Sequence, residues 1–117
     1  MIAEIKHLYS PDVEDLPHWN PGSEEFAILL QIIAGPAGSP GEESFDVTLC
    51  SPAWIVRQAA KEKIIQGRHL LIATEYDYTL ISDFISEYVS SCQGQTWQEI
   101  ASKLARIGRW EFEDYQE

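Results

Sequence analysis

Residues 26–50, FAILLQIIAGPAGSPGEESFDVTLC, constrain the fold more than any other stretch. Phe26 to Ala34 has the aliphatic and β-branched composition of a buried strand. Phe45, Val47 and Leu49 alternate with Asp46, Thr48 and Cys50 as in a half-buried one. Between them Gly35, Pro36, Gly38, Pro40 and Gly41 suit neither a helix interior nor a sheet ladder, so they make a long hairpin connection or a flexible tip. With Phe45, Val47 and Leu49 turned inward, the opposite face offers Asp46 and Thr48 to water or to a partner. The rest of the chain has to cover the inner face.

Ile2 to Tyr9 alternates loosely and predicts a first strand that ends at Ser10-Pro11. Residues 10–24 carry three prolines and a glycine among acids, an irregular segment pinned by Leu16 and Trp19. After the hairpin, Ser51-Pro52 is a helix start, with a hydroxyl at the N-cap and proline at the first helical position. Ala53, Val56, Ala60 and Ile64, widened by Trp54, Ile55 and Ala59, give this helix an apolar stripe, and Gly67 stops it. HLLIAT then reads as a fourth strand. Asp77 or Thr79 caps a second helix that turns Leu80, Ile81, Phe84, Ile85, Tyr88 and Val89 inward. Thr96-Trp97-Gln98-Glu99 is a capping box for a third, whose buried face is Trp97, Ile100, Ala101, Leu104 and Ala105. The expected architecture is a single α+β domain over 1–117: an antiparallel sheet of about four strands (2–9, 26–34, 44–50 and 69–74) with three helices packed against it.

Charge narrows the function. Nineteen acids oppose eight bases, a formal charge of −11, and unpaired carboxylates are too costly to bury, so the surface is acidic. Such a field repels nucleic acid and anionic membrane and speeds encounter with a basic protein surface. No apolar run reaches the roughly 18 residues of a membrane span. The start, MIAEIKHLYSP, lacks a basic leader, so a cytoplasmic protein is expected. Cys50 and Cys92 have no zinc-site spacing and are expected as separate thiols.

Chemistry is sparse. HExxH, CxxC and GxSxG are absent, and GPAGSPG lacks the lysine of a phosphate loop while its prolines remove amides that would hold an anion. His7, His18 and His69 are far apart in sequence. No catalytic residue, metal or cofactor is therefore expected. Glu75 and Asp77, at the end of the fourth strand, would serve a small enzyme only if they met His69 in one concave pocket. At the C-terminus Trp110 and Phe112 share one parity and read as core closure. Glu111, Glu113, Asp114 and Tyr115 read as an acidic, aromatic contact strip. The candidate partner-binding residues are these four with Asp46, Glu75 and Asp77.

IKHLYSPDVEDLPHW, the hairpin ending in GEESFDVTLCSPAWI, GRHLLIATEYDY and the terminal TWQEIASKLARIGRWEFEDY together resemble the Imm8 family of bacterial immunity proteins, in matching order over nearly the whole chain. The resemblance implies a cytoplasmic α+β protein that binds a cognate polymorphic toxin delivered by neighbouring bacteria and blocks it. Such toxins are often nucleases, whose basic clefts an acidic inhibitor would match. It assigns no contact residue. An acidic adaptor or subunit of a multiprotein assembly is the alternative from composition, and a small enzyme the remaining one.

Overall fold

The alternation in the 26–50 segment becomes the centre of the sheet. In the computed structural model, which describes residues 1–113, Ala27–Pro36 (β2) pairs antiparallel with Glu43–Cys50 (β3). The register sets Ile28 opposite Leu49, Leu30 opposite Val47 and Ile32 opposite Phe45, and all six are buried on one face. Gln31 and Asp46 face each other on the other side. A slip of one residue would exchange the two sets, so burial specifies the register. Gly35 and Pro36, expected in the connection, instead extend β2 and pair with Glu4 and Ala3; a side chain on Gly35 would place its Cβ 1.9 Å from the Gly41 carbonyl oxygen, so only glycine allows that approach.

Ala3–Tyr9 (β1) adds antiparallel to β2. On the far side of β3, Leu70–Ile72 (β4) and Arg109–Trp110 (β5) share one edge: β4 pairs along Thr48 to Cys50, and β5 along Phe45 and Asp46. The three helices are Pro52–Glu62 (α1), Tyr78–Ser91 (α2) and Trp97–Leu104 (α3), completing the expected α+β fold. Ile81, Ile85 and Val89 of α2 and Ile100, Ala101 and Leu104 of α3 are buried in one cluster with the inner sheet residues. The helix starts use their expected caps: Trp54 N–H donates to Ser51 Oγ (3.3 Å), Leu80 N–H to Asp77 Oδ1 (3.1 Å) and Glu99 N–H to Thr96 Oγ1 (3.2 Å). The fully buried Ser51 also accepts from Phe26 N–H at 3.0 Å, joining the start of β2 to the start of α1. Leu16 is buried, and Trp19, Phe26 and Tyr76 meet edge to face, which fastens the 10–24 segment to the domain.

Four further expectations need correction. First, β3 and β4 run parallel, not antiparallel. The intervening residues include a helix long enough for a crossover, and a crossover returns the chain in the same direction. Second, the apolar stripe expected of α1 points mostly outward: Val56 is 71% exposed, Ala53, Ala60 and Ile64 are exposed, and no residue of this helix is buried. Trp54, Ile55 and Ala59, the residues that widen the stripe, are half-buried, so only that flank of it faces the domain. The helix stops at Glu62, before Gly67, where Lys63 takes a φ of 70°. Its setting is fixed by the Ser51 cap and by an Arg57–Glu25 ion pair (2.8 Å), while the inner face of the sheet is taken by α2 and α3. Third, Leu80 and Phe84 lie outside the core, 68% and 53% exposed, because Ile81, Ile85 and Val89 already fill the inward line of α2. Fourth, β5 is only two residues long and the chain then turns, with Glu113 N–H donating to the Trp110 carbonyl at 3.0 Å. Trp110 is buried and stacks on Phe45, whereas Phe112 is 41% exposed and meets Trp110 edge-on. Strand parity therefore does not extend to Glu111 and Glu113.

Candidate functional site

The candidate acids sort into two surfaces. Asp46 sits on the outer side of β3, between Gln31 of β2 and Arg109 of β5 in the register. Its Oδ1 accepts from Ser44 Oγ at 2.8 Å and from Gln31 Nε2 at 3.3 Å, which fixes the carboxylate without neutralising it. The turn after β5 brings Glu111 and Glu113 to the same place. All three acids line one open concavity of about 480 Å³, whose wall also includes Arg109 and Trp110. Gly108 permits this approach, since a Cβ there would lie 2.9 Å from the Phe45 backbone. Glu113 is half-buried and paired with Arg68, while Glu111 is exposed. On a neighbouring edge of the site, the Trp110 indole N–H donates to the Glu43 carboxylate. The concavity thus gathers three carboxylates and one guanidinium, Arg109, beside the buried Trp110, and Glu113 is engaged with Arg68 at its edge.

Glu75 and Asp77 lie elsewhere, on a groove of about 350 Å³ between β4 and α2. Its lining is mainly apolar and includes the exposed Ile72, Leu80 and Phe84. Asp77 is occupied as the N-cap of α2, and Glu75 is exposed. Glu75 also borders a hollow of about 560 Å³ beside Phe26 and Tyr76. The apolar part of the β4–α2 groove was missed by reasoning from sequence, which assigned Leu80 and Phe84 to the core. The available signal was the width of the α2 stripe: six apolar positions are more than one inward line needs.

His69 belongs to a different hollow, with Arg68 and Arg106, and its Nε2 donates to the Ala105 carbonyl at 2.8 Å. The set of Glu75, Asp77 and His69 that an enzyme would need is therefore not assembled in one pocket. His18 pairs with Asp15 at the surface (3.0 Å). Among the described residues no group of three His, Cys, Asp or Glu side chains is placed to hold a metal ion. Cys50 and Cys92 are buried free thiols, and burial pushes both pKa values up, which disfavours the nucleophilic thiolate. Among the described residues no helix is long and apolar enough to cross a membrane. Asp114 and Tyr115 lie outside the described residues.

No curated protein and no solved structure matches the chain. The family model for immunity protein 8 (Imm8) matches residues 3–115, a span that takes in the central hairpin, all three helices, both candidate surfaces and the terminal acids. The chain belongs to the immunity protein 8 family.

Proposed function

We propose that this protein acts in the cytoplasm as an immunity protein. It binds a cognate polymorphic toxin domain and blocks it by seating the acidic concavity of Asp46, Glu111 and Glu113 over a basic, phosphate-recognising cleft of the kind a nuclease carries. The observation that carries this reading is the convergence of those three carboxylates, from two separate segments, in one open concavity of a chain with net charge −11. Family membership supports a toxin as the partner. A cleft built for phosphate presents Lys and Arg in an arrangement that fixed carboxylates complement, and the overall field steers the two proteins together. Trp110, buried against Phe45, forms one wall and holds the turn that carries Glu111 and Glu113 in place.

The test is a pull-down of the toxin domain encoded by the adjacent upstream gene, followed by growth of cells expressing that domain with and without this protein. Co-purification and restored growth are the expected results. Absence of binding would overturn the reading and favour an acidic adaptor of some other assembly.

A further inference from the structure

The β4–α2 groove is left over from both the core and the acidic concavity. β4 is the last strand in the main sheet order. Its bonds to β3 run through alternate residues: Thr48 N–H donates to the His69 carbonyl (3.0 Å), and Ala73 N–H donates to the Cys50 carbonyl (2.9 Å). Alternation then turns the N–H and C=O of Leu70 and Ile72 away from β3. The Leu70 N–H is used locally on the Gly67 carbonyl, whereas the Ile72 N–H points to the open side of β4, away from β3. Beside this edge stand Ile72, 56% exposed, and the outward side chains Leu80 and Phe84 of α2. An outward-pointing edge donor next to an apolar groove is the arrangement by which an extended segment adds to a sheet, its backbone joining the edge and alternate side chains filling the pocket.

Charge selects the occupant. Glu75 and Asp77 close one end of the groove, and the exposed Asp83 and Glu87 stand on the outward side of α2, three and seven residues beyond Leu80. α2 contains no Lys or Arg. A second copy of this chain would bring these same acids together on a body already at −11, so self-association is disfavoured. Beyond Phe84 stand Arg68, paired with Glu113, and the exposed Arg106. We infer that the groove receives an extended segment of the basic toxin domain, added as a strand along β4. One apolar side chain lies among Ile72, Leu80 and Phe84, and a Lys or Arg lies on the Glu75 side. This rests on the toxin-binding reading above and adds to it a second, apolar contact.

The experiment uses the full chain with the upstream-encoded toxin domain. Binding affinity is measured for wild type and for the double variant Leu80→Asp, Phe84→Ala, with melting temperature as the folding control. Amide exchange at Ile72 is followed with and without the domain. The expected results are slowed exchange at Ile72 and a loss of affinity of roughly 30-fold or more, the size of one central hot spot. A wild-type protein that binds while the folded double variant binds equally well, or while Ile72 exchange stays unchanged, overturns the groove assignment and leaves the acidic concavity standing. A wild-type protein that does not bind at all overturns the toxin reading itself. Sedimentation showing a dimer that Phe84→Ala dissociates would assign the groove to a second copy and overturn the proposal.

Discussion

α1 and α3 both carry apolar stripes with helical spacing, yet Ile100, Ala101 and Leu104 of α3 are fully buried and no residue of α1 is. α2 combines the two outcomes on one cylinder, with Ile81, Ile85 and Val89 inside and Leu80 and Phe84 outside. Periodicity states which side of a helix is apolar, and the fold decides whether anything covers it. On the proposal above, the uncovered apolar surface of α2 gives the toxin domain contact area that charge alone does not supply.

Stability measurements can break this contrast. Truncating Leu104 to alanine should have the largest effect, ~2–5 kcal/mol, because the cavity forms in a fully buried site. Ser51→Ala should follow at ~1–3 kcal/mol, since it removes the α1 cap and leaves the buried N–H of Phe26 without its acceptor. Phe84→Ala should cost less than about 1 kcal/mol, and Val56→Ser should stay within about 0.5 kcal/mol of wild type. Urea melts of the four variants check the order. A cost for Phe84 or Val56 equal to that for Leu104 would mean that the outward stripes are covered after all.

The buried thiols give a pH dependence of known sign. Cys50 and Cys92 have folded pKa values raised above their ordinary 9.0, mainly by burial, so the fold favours the neutral form. Their contribution is complete below pH 9.0 and is lost as pH rises through the raised values. Tyr76 and Tyr88 shift upward from 10.0, again mainly by burial, and act in the same direction at higher pH. Urea midpoints should fall between pH 8 and pH 10 (values set by the experiment, about one unit either side of the ordinary thiol pKa). Replacing both cysteines by alanine should lessen the slope without removing it.

The hairpin, the three caps and the inner faces of β2, β3 and α3 were legible in the sequence because each rests on local chemistry: alternation, a hydroxyl or carboxylate before a helix, and proline at its first turn. The direction of β4 was not, since parallel pairing depends on where a crossover returns. Nor was the fate of Val56, Leu80 and Phe84, which depends on how much inner sheet remains for each helix. Of the candidate site, Glu111 and Glu113 were picked out together in the terminal contact strip and Asp46 separately, on the outward face of β3. Their meeting required the antiparallel pairing of β5 on Phe45 and Asp46 and the turn after Trp110. The strand parity that nominated Glu111 and Glu113 does not hold, yet the turn carries both to the concavity.

The central claim is that the acidic concavity guides and holds a basic toxin domain. Glu111 tests it most cleanly, because it is exposed, whereas Glu113 is engaged with Arg68 and Asp46 with Ser44 and Gln31. Stopped-flow association of wild type and Glu111→Lys with the upstream-encoded toxin domain, at low and high ionic strength, is the decisive measurement. The account predicts that the variant, with an unchanged circular dichroism spectrum, associates slower by roughly threefold or more at low salt and that the gap narrows at high salt. Equal association rates at low salt would remove the concavity from the binding face and contradict the account.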